Sequence, residues 1–435
     1  MRALRLGFRF LLIVWIALLA VLRYGWRRAR AGRLTPDARE ALRGDVLAQT
    51  LEYLGATFVK FGQILSTRPD LLGPGYISAL ARLQDQMPPA PFAQVQLMID
   101  QELTPEARAR IEHVDAEPLA AASVAQVHRA RLRNGELVAL KVQRFAARRQ
   151  IERDLVLLSM GARMINALPA LTPMSLPGAV ARFSEAMHGQ LDFVLEAANN
   201  RRLAANFSDV EGVEVPRLID DLCTRRVLAM ELIEGVRATE PEKVGGDRAA
   251  LARKGGEAIL KMVFIDGFVH ADLHPGNILL TDDGRVFLID LGLVAELPPE
   301  MMRPWCETFM AIAQRNGREV ARLFYVYAPR VAVTSYAAYE SEVMALFERT
   351  YGKAIGELEA SAVVSGAVGV LRRHRVQVDP VFTVVHIALL VAEGLGKQLD
   401  PTLDMVQLAV PFLMRALATA PPGKPPLREP PRADV

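Results

Sequence analysis

Between Asn277 and Asp290 the chain leaves little choice of local structure. Asn277-Ile-Leu-Leu-Thr281 is a short apolar run, Asp282-Asp283-Gly284 is a turn signal, and Arg285-Val-Phe-Leu-Ile289 is a second apolar run. Two such runs about a glycine-containing turn read as a β-hairpin. The hairpin displays Asn277 at one end and Asp290 at the other.

The residues flanking that hairpin carry chemistry. His270-Ala271-Asp272-Leu273-His274-Pro275-Gly276 leads into Asn277, and Asp290-Leu291-Gly292 follows the second strand. The five-residue step from Asp272 to Asn277, with a second acid downstream, has the spacing of a kinase-type phosphoryl-transfer site. Such chemistry asks a protein for positioning and for neutralisation of charge through hard cations held by oxygen ligands. Asn277 and Asp290 supply oxygens of the kind Mg²⁺ takes. Asp272 is the residue to orient or deprotonate an attacking hydroxyl or water. Two blander readings are an ordinary acidic loop and a pair of helical metal ligands, His270 and His274. Pro275-Gly276 argues against the helix that the second one needs.

The same logic extends upstream. Val124 to Leu132 and Glu136 to Gln143 read as strands joined by Asn134-Gly135, a strong hairpin signal. Lys141 sits on the second strand in Val138-Ala139-Leu140-Lys141, a pattern like that of a kinase lysine that contacts nucleotide phosphates. Ala120, Ala121, Ala122, Ser123, Val124 and Ala125 occupy the place where a kinase has a glycine-rich loop, so backbone approach to phosphates is expected to be stiffer. Residues from Gln150 to Phe207 turn helical, and Glu196 is the expected partner of Lys141. Arg226 to Ile233 reads as a strand entering a hinge, where the backbone at Glu231 and Leu232 would hydrogen-bond adenine. Before these strands, Pro36 to Arg110 reads as helices, with Asp37 and Thr104-Pro105 as start signals. From Pro298 to Ala420 the chain reads as helical, Pro298-Pro299 opening one helix and Asn316-Gly317 closing it. His386 and the run from Val406 to Leu413 read as core.

At 435 residues, half of them apolar, the chain can bury a sizeable core and hold two or three units. A net charge of +3 and no basic run interleaved with aromatics give no sign of nucleic-acid binding. Cys223 and Cys306 form no metal cluster and fit a reducing cytoplasm. Phe10 to Leu22 is an unbroken apolar run with arginines on both sides. As a helix it reaches about 20 Å, against a hydrocarbon core of roughly 30 Å. It reads as a membrane attachment, either a single span from Gly7 to Tyr24 or a helix in the plane of the membrane. Export as a signal peptide would part the chain from nucleotide. If the segment spans, the heavier arginine cluster on the C-terminal side would keep the catalytic body cytoplasmic. The proline-rich tail from Pro421 is expected to be disordered.

With these motifs in order, the chain resembles the UbiB family of atypical kinases over about Gly55 to Leu297. The most specific match is Phe58-Val59-Lys60-Phe61-Gly62-Gln63-Ile64-Leu65-Ser66-Thr67-Arg68-Pro69-Asp70-Leu71-Leu72, with Leu83-Gln84-Asp85 and Pro88-Pro89 following. The resemblance implies an α+β, two-lobed protein-kinase-like fold with an N-terminal helical extension over the active site and a helical C-terminal region. In domain terms this is an attachment segment (1–34), the signature-bearing extension (35–112), an N-lobe (113–235), a C-lobe (236–420) and the tail (421–435). Lys141, paired with Glu196, would contact the phosphates of ATP or ADP. Asp272 would be the catalytic aspartate, and Asn277 and Asp290 would ligate Mg²⁺. Lys60 and Gln63 would cover the cleft and disfavour a protein acceptor. The family usually has Glu-x-Asp where this chain has Gln190-Leu191-Asp192, so either Asp192 suffices to hold Lys60 or the region is electrostatically retuned and the covering arrangement looser. The resemblance also implies support of ubiquinone biosynthesis or isoprenoid-lipid handling, with a membrane lipid, a quinone precursor or ubiquinone-biosynthesis enzymes as partners. The competing readings are a small-molecule kinase of the aminoglycoside or choline type and a nucleotide-binding pseudokinase scaffold.

Overall fold

The computed structural model describes residues 2–66, 72–83, 87–166, 176–351, 360–377 and 380–431. The chain divides into two compact units: Met1–Ala198 with Arg217–Leu232, and Asn199–Pro216 with Ile233–Val435. The last of the three crossings between them, after Leu232, falls at the strand end read as a hinge. The first falls inside a helix, so residues 199–216, expected in the N-lobe, belong to the second unit.

The first unit begins with helices α1 (Arg2–Arg30), α2 (Pro36–Leu54), α3 (Ala56–Ser66), α4 (Pro74–Leu80), α5 (Phe92–Glu102) and α6 (Pro105–Ala109). Thr35 and Thr104 cap α2 and α6 through their hydroxyls, each followed by a proline at the first helical position. Gly55 separates α2 from α3 at φ 97°, a conformation that favours glycine. Strands β1 (Ile111–Ala121), β2 (Ala125–Leu132) and β3 (Leu137–Gln143) follow, then α7 (Ala147–Asn166), α8 (Leu176–Gln190) and α9 (Phe193–Asn206). The short strand β4 (Val213–Glu214) belongs to the second unit, and β5 (Val227–Glu231) returns to the first. The sheet runs β1-β2-β3-β5, antiparallel throughout. Gly135 at φ 86° makes the expected β2–β3 turn, and the Asn134 side chain accepts from the Glu136 N–H. Met98 and Ile99 of α5 pack on Leu132, Val138, Leu140 and Val142, closing one face of the sheet. The edge strand β1 was not legible. It carries Pro118 and an irregular register, features tolerated only at a sheet edge.

In the second unit, β6 (Val236–Arg237) and helix α10 (Arg248–Lys261) precede β7 (Phe268–His270), β8 (Ile278–Leu280), β9 (Val286–Leu288) and β10 (Val294–Glu296). One sheet has the order β4-β9-β8-β6, and β7 pairs with β10. Then come α11 (Pro299–Ala313), α12 (Gly317–Tyr327), α13 (Tyr336–Tyr351), α14 (Ala360–Arg373), α15 (Pro380–Leu399) and α16 (Met405–Thr419). Asn316-Gly317 does not close α11 as expected. Arg315 takes the left-handed position at φ 61°, and Asn316 caps the next helix by accepting from the Glu319 N–H. His386 lies in the core, and burial lowers its pKa to about 4. The tail also departs from expectation. Its described part is held by backbone bonds from Lys424 to Glu300 and from Leu427 to Val326, and by Arg428 donating to the Tyr325 and Ala328 carbonyls. Proline fixes an extended backbone in advance, so little further ordering is lost when the tail is pinned.

Candidate active site

Lys141 lies on β3 between Val127 of β2 and Leu228 of β5. Its Nζ sits 2.7 and 2.9 Å from the two carboxylate oxygens of Glu196, and both residues are buried. The lysine also stands 5.4 Å from the centre of the Phe193 ring. Glu196 is in the first turn of α9, where the helix dipole favours an acid. The start of that helix is set by Asp192, whose Oδ1 accepts from the Val194 N–H. The Asp192 Oδ2 takes two bonds from Arg225, at 2.9 and 3.1 Å. The carboxylate expected to serve Lys60 is therefore engaged by Arg225 and by a helix cap. An arginine 33 residues away could not be assigned to it from sequence.

The alanine loop is a tight connection between β1 and β2. The Ala122 N–H donates to the Ala125 carbonyl, Ala120 and Ala121 pair with Val127 and Gln126, and the Val124 carbonyl accepts from Arg144. Ser123 stands at the bend. At the hinge, the Glu231 N–H donates to the Arg217 carbonyl and the Leu232 N–H to the Leu137 carbonyl. The N–H groups of both residues are thus engaged within the first unit.

Lys60 is buried on α3. Gln63 donates from Nε2 to the Leu83 carbonyl at 3.0 Å, which ties the signature helix to the end of α4. Gly62 is small for a packing reason, since a Cβ there would stand 2.5 Å from Leu83 Cδ1 and 2.7 Å from Leu51 Cδ1. Residues 67–71 of the signature, and Gln84 and Asp85, lie outside the described residues.

In the second unit the hairpin forms as read, β8 pairing with β9. The Ile289 N–H donates to the Asn277 carbonyl at 2.9 Å, which brings Asn277 alongside the residue preceding Asp290. The Asn277 Nδ2 donates to the Asp272 carbonyl at 3.0 Å. That bond fixes the amide, and leaves its oxygen as the acceptor. Asp290 has φ 59°, a left-handed conformation that Asp and Asn tolerate better than most residues. His270 connects the two acidic segments. Its Nδ1 accepts from the Asp272 N–H at 3.2 Å, so Nε2 carries the hydrogen and donates to the Ile289 carbonyl at 3.1 Å. Burial lowers its pKa, which keeps it neutral in this role. Sequence reading assigned His270 no role beyond an unlikely ligand. It also missed Asn199, which donates to the Leu291 carbonyl at 2.9 Å and holds the Asp290-Leu291-Gly292 segment.

Among the described residues no three His, Cys, Asp or Glu side chains form a metal-binding group. A kinase-type Mg²⁺ does not need one, because it uses one or two protein oxygens together with phosphates and water. One amide oxygen and one carboxylate, at Asn277 and Asp290, fit that donor set.

A helix-braced lysine on an antiparallel sheet, with a catalytic loop and an acidic turn joined by a short hairpin, defines a protein-kinase-like fold. Comparison with known proteins agrees. Residues 82–324 match the ABC1 atypical kinase-like domain, and residues 343–404 match the UbiB helical domain. The chain is 34% identical over 384 residues to a "Probable protein kinase UbiB" of Shewanella piezotolerans, covering 86% of this chain and 70% of that protein. It is 35% identical over 412 residues to one from Pseudomonas putida, covering 92% and 75%. A solved structure, the Rv3197–erythromycin complex from Mycobacterium tuberculosis, superposes with TM-score 0.51 at 25% identity over 78% of this chain and 91% of that one. The chain belongs to the ABC1/UbiB family of atypical kinases.

Proposed function

We propose that this chain binds Mg²⁺–ATP and either hydrolyses it or transfers its γ-phosphoryl group, in support of ubiquinone biosynthesis or related isoprenoid-lipid handling at a membrane. The observation that carries the reading is the buried, two-point Lys141–Glu196 pair. A lysine held this way has a fixed position and a fixed charge, as a phosphate contact requires. Asn277 and Asp290 would hold the metal, which supplies charge neutralisation at the phosphates. Asp272 would accept the proton of the attacking hydroxyl or water. His270 and Asn277 position its backbone, and Asn199 positions the turn after Asp290. The alanine loop would close over the phosphates with less backbone freedom than glycine gives.

Purified full-length protein should bind ATP in the presence of Mg²⁺ and turn it over, and Asp290→Asn should bind but not turn over. Turnover that survives Asp290→Asn would remove the metal assignment. Tight binding without turnover by the wild type would favour a pseudokinase scaffold. The biological part is tested by quinone content in cells lacking the gene, complemented with wild type or Asp290→Asn.

A further inference from the structure

Helix α1 is attached to the first unit near both of its ends. Near one end, Arg9 pairs with Asp154 of α7 at 2.8 and 3.0 Å and donates to the Leu54 carbonyl at 2.6 Å. Near the other, the Arg23 guanidinium lies 5.0 Å from the Tyr53 ring, and Arg43 donates to the Tyr24 hydroxyl at 3.4 Å. Between them Ile13 and Ile16 pack on the cluster containing Leu51, Leu54, Phe58 and Leu80. Residues 9 and 23 are about 21 Å apart along a helix, yet all their partners belong to one unit. A helix crossing a bilayer puts such positions near opposite surfaces. Crossing would therefore break one set of contacts, and loss of Arg9 would strand Asp154, whose side chain is only 1% exposed.

The opposite side of α1 is also apolar. Phe8, Leu11, Trp15, Leu18, Leu22 and Trp26 follow three- and four-residue steps and are 49–73% exposed. Val156, Met160 and Met164 of α7, the helix that carries Asp154, are also exposed at four-residue spacing. Arginines 27, 28 and 30 stand in the last turn of α1. An exposed apolar stripe containing tryptophans, ending in clustered arginines, matches the headgroup–acyl boundary of an anionic bilayer.

We propose that α1 is an in-plane docking face: it stays clamped to the first unit and lays its outer stripe on an anionic lipid surface without crossing it. This rests on the membrane attachment proposed above and fixes its geometry. It gives the arginines one partner, lipid phosphate, and the stripe another, the acyl boundary.

The test uses the full-length protein, wild type and the outer-face variant Leu11→Glu/Leu18→Glu/Leu22→Glu. Wild type should float with phosphatidylglycerol-containing vesicles at least tenfold better than with phosphatidylcholine alone. The variant should lose that flotation while keeping its melting temperature and nucleotide binding. In inverted membrane vesicles from cells, an N-terminal epitope should be digested by protease without detergent. An epitope protected until detergent is added would overturn the in-plane geometry and leave membrane attachment standing. Absence of flotation by the wild type would overturn the attachment as well. If the variant floats normally but turns a lipid-free dimer into a monomer, the stripe is a contact between copies and the proposal fails.

Discussion

Replacing Glu196 by alanine should be one of the most costly single changes in the first unit. The Lys141 ammonium lies within 3 Å of both Glu196 oxygens, and the side chains are only 11% and 4% exposed. Water cannot take over from the missing carboxylate at such exposure. Removing one partner of a buried ion pair typically costs about 3–5 kcal/mol, because the remaining charge loses the carboxylate that balanced it. The nearby Phe193 ring offsets this by about 0.5–2 kcal/mol at most. That leaves about 1–4.5 kcal/mol; at roughly 2–4 °C per kcal/mol for a unit of this size, the melting transition of the first unit should fall by about 2–18 °C. Replacing both, as Lys141→Met/Glu196→Leu, should restore most of that loss, since burial of two apolar side chains is often neutral or better than a buried pair. Nucleotide binding should fail in the double variant all the same. Thermal melts with and without Mg²⁺–ATP on the wild type, the single variant and the double variant separate the two effects. A single variant that melts within about 1 kcal/mol of wild type would refute the buried pair. A double variant that still binds ATP normally would refute the lysine's phosphate contact.

Other expectations follow from the same structure. Asp290→Asn keeps a side chain that tolerates φ 59° but removes the charge, so turnover should fall by at least about a hundredfold with little change in melting temperature. Kinetics and melting on one preparation check both halves. Gly62→Ala should cost about 1–3 kcal/mol through overpacking against Leu83 and Leu51, read as a lower denaturation midpoint. His386 is neutral in the fold, with its pKa lowered to about 4 by burial. Between there and the unfolded value of about 6.5 the unfolded chain binds more protons. Its contribution of roughly 3 kcal/mol is therefore present above about pH 6.5 and lost as pH falls to about 4. His386→Gln should flatten the pH dependence of stability between pH 7 and 5, with a residual slope from His270, whose pKa moves the same way. Arg428→Ala should loosen the C-terminal strap, visible as faster amide exchange at Leu427, by removing two backbone contacts worth about 1–3 kcal/mol.

Local pattern alone determined much of the site. The Asn277–Asp290 hairpin and the β2–β3 turn are written in short-range signals, namely apolar runs and Asn-Gly and Asp-Asp-Gly turns, while the Lys141–Glu196 pair, 55 residues apart, was legible only through its likeness to a kinase pattern. What the sequence could not express is competition for partners across long separations. Asp192 is claimed by Arg225, Leu291 is held by Asn199, and His270 bridges two loops through backbone groups that have no residue-type signature. The same is true of β1, whose Pro118 and polar residues are acceptable only because the strand lies at an edge. It is true also of α1, which by composition is equally a span or a surface helix. The tertiary contacts of Arg9 and Arg23 are what carry the proposed in-plane geometry, because a helix that stays bound near both ends to one folded unit does not place those ends on opposite sides of a membrane.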